Sequence, residues 1–339
     1  MQLARSRLTV LLNALYDSGE TTIPVSHPGS DVGELFRIEL GGPQSSTVRL
    51  SKDFQTYSDA RSAVNSSYGA PAVNELPSPR SYLSAFLAGG LLSPGNDSEI
   101  ADFLDRYGNP DLNAGADPVL AGFDTNIMPW RPAHMLGLRS TDEPVINGFA
   151  LATGIRDELD WGGKRKDTQS LVEAFGPEFE ALWNQPAGAS REGRLGELCY
   201  RQLRDQQYGD EFTTDTGDEE IIEGYDEYER ETRKEVLLFS NDRDFIERAR
   251  SHRIHAQRVE FPEGLPRKLT GSWQEIQDTL YLLSILFGVL TLPKVTLYGV
   301  WKGKGGMAWH DEKLEVDCRS PKVEPLIKRD NAIIEAHDQ

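Results

Sequence analysis

Two apolar runs that each end in an aspartate constrain the fold of this chain most. The first run covers residues 118–123 and is followed by Asp124; the second covers 235–239 and reaches Asp242 three residues later. A third run, 256–261, follows after a helical pattern. Runs this apolar are typical of strands that are buried on both faces of a parallel sheet covered by helices. The pattern therefore predicts an α/β fold with a central parallel sheet.

The two aspartates lie where such a sheet binds its ligands. Open parallel sheets place ligands at the carboxyl ends of their strands. A single aspartate after a strand is most often a helix cap or a turn residue. Two of them after neighbouring strands favour a cation site, because carboxylates brought together repel each other unless a cation lies between them. We therefore expect Asp124 and Asp242 to lie close together.

Two further acids are candidates for the same site. Glu158 lies on the polar edge of a short helix that is predicted over 154–161, and an exposed helix acid is the alternative interpretation. Asp218 lies in the first turn of a predicted helix, where the helix dipole favours an anion. Its alternative is a solvated carboxylate, because 209–235 is an acidic run.

The order of these motifs resembles the PIN-domain nuclease family over about residues 117–262. The resemblance implies an α/β/α sandwich with a central parallel sheet. It also implies acids that bind one or two Mg²⁺ or Mn²⁺ ions and hydrolyse phosphodiester bonds, usually in single-stranded RNA. The implied catalytic and metal-binding residues are Asp124, Glu158, Asp218 and Asp242, with Asp244 as a fifth ligand and with Thr125, Asn126, Ser240 and Asn241 in support. A long insert before Asp218 departs from the family's pattern, so Asp215 and Glu219 are alternatives for the third acid.

Metal-assisted hydrolysis suits these residue types. Mg²⁺ prefers oxygen ligands, and a bound metal activates water without a histidine or lysine base. Two rival functions remain open. One is a catalytically inactive PIN-like subunit that binds RNA or assembles with other proteins, and the other is a metal-dependent phosphatase of another α/β fold. Convergence of the four acids separates the nuclease from the inactive module, and a closed mononucleotide pocket is expected of the phosphatase.

Composition divides the chain into three expected regions. These are an α+β amino-terminal accessory domain (1–115), the PIN-like nuclease domain (116–262) and a carboxy-terminal α/β extension (263–339). In the extension, the basic turn 302–306 between Trp301 and Trp309 is either a nucleic-acid contact or an ordinary hairpin turn. Basic residues expected near the mouth of the acidic site are Arg131, Arg139, Arg156, Lys164, Arg165 and Lys166, with a solvated face as their alternative role.

Charge and apolar content limit the classes of function. Among 339 residues, 54 are Asp or Glu and 36 are Lys or Arg, so the net charge is −18. That balance argues against a protein that coats nucleic acid but does not exclude a local basic groove. It also resembles the acidic surfaces of proteins from high-salt cytoplasms. Two cysteines and an apolar run, 280–292, that is too short to cross a bilayer predict a cytoplasmic protein without a membrane partner. A homodimer or a separate partner protein is left open.

Overall fold

The computed structural model describes residues 1–138, 145–159, 162–165, 167–263 and 265–337. Its strands, in chain order, are β1 (Gln2–Ala4), β2 (Thr22–Ser26), β3 (Glu34–Gly42), β4 (Ser45–Leu50), β5 (Val119–Phe123), β6 (Gly148–Ala152), β7 (Lys164–Arg165), β8 (Gln185–Pro186), β9 (Asp210–Phe212), β10 (Glu235–Ser240), β11 (His255–Arg258), β12 (Lys268–Gly271), β13 (Val289–Leu292), β14 (Val295–Tyr298) and β15 (Lys313–Cys318).

The helices, in chain order, are α1 (Thr9–Asp17), α2 (Phe54–Tyr68), α3 (Ala70–Val73), α4 (Pro79–Ala88), α5 (Asp97–Tyr107), α6 (Pro132–Met135), α7 (Thr153–Glu158), α8 (Gln169–Phe175), α9 (Gly188–Asp205), α10 (Asp218–Thr232), α11 (Arg243–Ser251), α12 (Trp273–Phe287), α13 (Gly306–His310) and α14 (Val323–His337). Short 3₁₀ turns cover Arg5–Arg7, Leu112–Ala114, Thr125–Trp130 and Pro177–Leu182. Within the described ranges, no helix is both long and apolar enough to span a bilayer.

The chain forms two compact units that are not continuous in sequence. One, the antiparallel unit, comprises 1–92, 162–192 and 265–339; the other, the parallel unit, comprises 93–161 and 193–264. This division differs from the three expected regions. Both ends of the chain enter one sheet because β1 pairs with β15 and β4 pairs with β12. The insert between Glu158 and Asp218 is also divided, since its first part, 162–192, belongs to the antiparallel unit.

In the antiparallel unit, the described strands pair in the order β1-β15-β14-β13-β2-β3-β4-β12. The apolar helix α12 begins at a capping box, in which Ser272 and Glu275 each bond the other's backbone N–H. Beyond β14, the structure does not support the part of the nucleic-acid alternative in which a tryptophan beside the basic turn stacks on a base. Trp301 and Trp309 are buried, and Lys304 Nζ lies 4.8 and 3.9 Å from their ring centres. The two indoles enclose this lysine, so neither ring is free to stack on a base.

The parallel unit confirms the expected parallel sheet. Its described strands run in the order β11-β10-β5-β6-β9, and every pair is parallel. The central strands β5 and β10 are buried along almost their whole length, which explains their continuous apolar sequence. Gly122 allows Tyr225 of α10 to approach β5: a Cβ at this position would lie 2.7 Å from Tyr225 Cε1.

The order of strands creates a switch point between β5 and β10. From β5 the chain continues outward through β6 to β9, and it then returns to the other side of β5 with β10 and β11. In sheets with such a switch point, the connections after the two strands leave in opposite directions and form a crevice at the carboxyl ends of these strands. Asp124 directly follows β5, and Asp242 lies two residues beyond β10. Both aspartates thus stand at the position where sheets of this type bind ligands.

Candidate functional site

Asp124 is the buried centre of the site. Its backbone N–H donates to Phe239 O at 3.0 Å, which continues the ladder between β5 and β10 by one residue. Its side chain turns inward, where Ser240 Oγ donates to Oδ2 at 2.5 Å. Asp124 is only 5% exposed and Ser240 is fully buried. The last residue of β10 thus fixes the carboxylate that follows β5.

Burial raises the pKa of Asp124 to about 6. The hydrogen bonds from Ser240 and from the Thr125 backbone oppose this shift, whereas the charges of Asp218 and Glu158 add to it. A carboxyl group with this pKa is partly protonated just below neutral pH. A cation beside it would restore its charged form, so the environment of Asp124 favours a positive ligand.

Asp242 is hydrogen-bonded to Ser240 and also caps the helix α11. Its backbone N–H donates to Ser240 Oγ at 2.8 Å, so this hydroxyl links both strand-end aspartates. Its Oδ1 accepts from the backbone N–H groups of Asp244 and Phe245 at 2.7 and 3.4 Å and caps α11. The cap role that is usual for a single strand-end aspartate is therefore present at Asp242.

The supporting amides join the two loops. Asn241 N donates to Asn126 Oδ1 at 3.2 Å, and Asn126 Nδ2 donates to Ser240 Oγ at 3.4 Å. Asn241 Nδ2 donates to Val259 O at 2.6 Å. These residues hold the loops after β5 and β10 against each other.

Glu158 ties a third and a fourth segment to the site. Its Oε2 accepts from Thr125 Oγ1 at 2.5 Å, and its Oε1 accepts from Gly217 N at 2.7 Å. The exposed-acid alternative for Glu158 is therefore wrong. Glu158 connects the turn after β5 with the start of α10, immediately before Asp218.

Asp218 faces the cluster from the first turn of α10. Its pKa is raised by burial, lowered by Arg248, and raised again by the charges of Asp242, Glu158 and Asp244. Arg248 Nη1 lies 3.3 Å from Asp218 Oδ2. Of the alternatives for the third acid, Asp215 is exposed, and Glu219 Oε1 instead faces His252 Nε2 at 3.5 Å. Among these three, Asp218 is the one whose charge raises the pKa of Asp124.

The donor set fits a hard divalent cation in chemistry but is not a closed cage. In the described part of the chain, no three His, Cys, Asp or Glu side chains come close enough to hold a metal ion. The acids that act on one another are Asp124, Glu158, Asp218, Asp242 and Asp244. They offer only oxygen ligands, and Mg²⁺ commonly takes one or two direct carboxylates and completes its octahedron with water and phosphate.

The basic residues expected at the mouth are divided between the two units. Arg156 pairs with Asp157 and Glu211, and Arg131 is buried. Lys164 and Arg165 belong to the antiparallel unit, where Arg165 pairs with Glu75 at 2.9 Å. Arg139 and Lys166 lie outside the described residues. The burial of Arg131 and the ion pairs of Arg156 and Arg165 do not support a basic rim, which stays a prediction.

Two residues of the site were not identified from the sequence. Tyr225 OH donates to Ala150 O at 3.1 Å beneath the crevice, and Arg248 partly neutralises Asp218. Tyr225 belongs to a helical apolar stripe, and only its contact with a glycine in β5 distinguishes it from other core residues.

Comparison of the chain with protein-family models, with curated proteins and with solved structures finds no match in any of the three.

Proposed function

We propose that the parallel unit is a metal-dependent nuclease that hydrolyses phosphodiester bonds, with single-stranded RNA as its substrate. One observation carries the proposal: a buried carboxyl group, Asp124, stands at the switch point of a parallel sheet with a raised pKa and with like charges around it. Structural carboxylates are usually neutralised by a basic neighbour. Asp124 instead receives a hydroxyl hydrogen bond and the repulsion of Asp218 and Glu158.

In this proposal Asp124 and Asp242 hold Mg²⁺ or Mn²⁺, and Asp218, Glu158 and Asp244 add ligands directly or through water. When bound, the metal lowers the pKa of a water and neutralises charge on the leaving oxygen. The chain's own residues position the carboxylates. Ser240 orients Asp124 through its hydroxyl, and Glu158 fixes the turn at Thr125 against the start of α10. Arg248 limits repulsion at Asp218 through its ion pair with that carboxylate.

A second candidate is the catalytically inactive module, and the hydrogen bonds of the acids favour it. Both oxygens of Glu158 and one oxygen of Asp242 already accept hydrogen bonds from the protein. In such a module the acids would connect loops and cap a helix, and the crevice would bind nucleic acid or another protein without cleaving it.

The deciding experiment incubates the full chain with end-labelled single- and double-stranded RNA and DNA, with Mn²⁺, with Mg²⁺ or with a chelator. The nuclease predicts metal-dependent cleavage that Asp124→Asn abolishes and that Glu227→Gln, an exposed acid of α10, leaves unchanged. Cleavage that survives chelation or Asp124→Asn contradicts the proposal. Binding without cleavage selects the inactive module, and release of phosphate from p-nitrophenyl phosphate alone selects a phosphatase.

A further inference from the structure

The parallel unit contains a cavity of about 480 Å³ that is separate from the acidic crevice. It lies between α5, the end of α11 and the beginning of β11. Its volume falls in the range of small-ligand sites, which is about 300–1,000 Å³. The lining residues that matter for chemistry are Arg106, Tyr107, Arg250, Arg253, His255 and Gln257.

Position separates this cavity from the acids. Asp242 caps the beginning of α11, whereas Arg253 lies two residues beyond its end. A helix of this length spans about 13 Å. None of the five acids of the crevice lines the cavity. A ligand bound here would therefore not compete with a metal ion at Asp124.

The cavity is locally basic in a chain whose net charge is −18. Three arginines and one histidine line it, against two acids, Glu99 and Asp102. Within the described ranges, neither Arg106 nor Arg253 makes an ion pair. The side chain of Arg250 is held in place, since its Nε and Nη2 both donate to Ala256 O, at 3.1 and 2.9 Å. All three arginines are exposed to solvent, so their guanidinium groups are accessible to an anion.

An aromatic pair forms part of the same lining. The rings of Tyr107 and His255 stack with centres 4.0 Å apart and an angle of 28° between their planes. Arg106 Cζ lies 5.9 Å from the centre of the Tyr107 ring. Stacked aromatic rings beside guanidinium groups are surfaces on which nucleobases pack, and arginine forks match phosphate oxygens.

We propose that this cavity binds a nucleotide. Arg106, Arg250 and Arg253 would contact its phosphate, and the Tyr107–His255 pair would pack against its base. Glu99 and Asp102 supply acceptors for amino groups of a base. The ligand is a nucleoside monophosphate unit, either free or within a single strand; the strand as its source rests on the proposed nuclease function.

The test measures binding of adenosine and uridine 5′-monophosphate, of adenosine, of inorganic phosphate and of a short single-stranded RNA, by calorimetry in the presence of a chelator. The test variant is Arg106→Ala/Arg253→Ala. The matched control is Arg230→Ala/Arg233→Ala: it removes the same charge from the parallel unit, and Arg233, like Arg253, follows a helix with positive φ (55° and 71°).

We expect the test variant to weaken nucleotide binding at least about tenfold, because charge-assisted hydrogen bonds are lost, and the control to change it little. Tighter binding of RNA than of the free nucleotide assigns a strand as the source; the reverse assigns a free nucleotide. No nucleotide binding to the wild type, or an equal loss in both variants, overturns the proposal. Because the chelator removes any metal ion, this binding test does not depend on the nuclease activity. Nucleotide binding here, together with no cleavage in the separate Mn²⁺ assay, would contradict the nuclease and leave this inference intact.

Discussion

A single hydroxyl determines how the two strand-end aspartates are presented. Ser240 donates to Asp124 and accepts from the backbone of Asp242, so its one oxygen sets the relative position of both loops. Because Ser240 is fully buried, water does not compete for these bonds. The carboxyl of Asp124 is thereby held rigidly and in an environment that disfavours its charge.

We expect Asp124→Asn to abolish metal-dependent cleavage while its melting temperature stays equal to that of the wild type or rises. The pKa of Asp124 is raised from its ordinary value near 4 to about 6. The protonated form therefore contributes stability that is fully present below about pH 4 and is lost as pH rises through about 6. The unfolding free energy of the asparagine variant should equal that of the wild type at about pH 4 and exceed it by up to about 2–3 kcal/mol at neutral pH.

Thermal unfolding across this pH range checks the prediction, with Glu227→Gln as the control at an exposed acid. The melting temperature of the control should stay close to that of the wild type across this pH range, because the Glu227 side chain that it replaces is exposed to solvent. An Asp124→Asn protein that is less stable than the wild type at neutral pH would show that the charged form of Asp124 stabilises the fold, which is the opposite of the expected effect.

At the scale of elements, α11 depends on the acid that precedes it. Asp242 Oδ1 accepts from the backbone N–H groups of Asp244 and Phe245 in the first turn of the helix, and asparagine caps helices about as well as aspartate. A change to asparagine therefore removes the charge and keeps the cap, whereas a change to alanine removes both.

We expect Asp242→Asn to keep the wild-type stability and to lose metal-dependent cleavage, since its charge is needed for the metal. Asp242→Ala should in addition lose about 0.5–2 kcal/mol of unfolding free energy. Denaturant melts and the cleavage assay together separate the two roles. Full cleavage by the asparagine variant would reduce Asp242 to a helix cap.

The contact between β5 and α10 is equally specific. A Cβ at Gly122 would lie 2.6 Å from Leu238 Cδ2 and 2.7 Å from Tyr225 Cε1, whereas a Cβ at Gly148 of the next strand would meet Leu120 Cδ2 at 3.6 Å. We expect Gly122→Ala to cost about 1–3 kcal/mol, because the core is overpacked. Gly148→Ala should be neutral or stabilising by up to about 1 kcal/mol, through the unfolded state.

Chemical denaturation of the two alanine variants measures this difference. Equal effects would mean that Tyr225 moves away at little cost and that α10 is not held tightly against the sheet. A loss of cleavage in Gly122→Ala alone would further link this packing to Asp218 at the start of the same helix.

Local patterns were sufficient to predict part of the structure. The apolar strands β5 and β10 are each encoded by neighbouring residues, and the strand-end aspartates follow from them. The contacts of Glu158 could not be predicted in this way, because its partners are 33 and 59 residues away in the chain. The same holds for the pairing of β1 with β15, which no local periodicity indicates.

Across the whole molecule, the excess of acids is the dominant electrostatic feature. A net charge of −18 opposes compaction by mutual repulsion, and added salt screens it. The Debye length falls from about 10 Å at 0.1 M salt to about 3 Å at 1 M.

We therefore expect the melting temperature to rise between about 0.1 M and about 1 M KCl at neutral pH. The same titration near pH 4, where many carboxylates are protonated, is the control and should show a smaller rise. A flat or falling melting temperature at neutral pH would show that the acids are already compensated by their local partners.

The way the chain alternates between its units has a practical consequence for dissection. It passes from one to the other at 92/93, 161/162, 192/193 and 264/265, so no single cut releases the parallel unit intact. A fragment that stops after β11 would lack β12 to β15. In the described sheet, β1 would lose its partner β15, and β2 and β4 would each lose one of their two neighbours. Exposed strand edges promote aggregation. A shortened version that keeps the antiparallel unit should instead excise 93–161 and 193–264, with linkers that join residue 92 to residue 162 and residue 192 to residue 265.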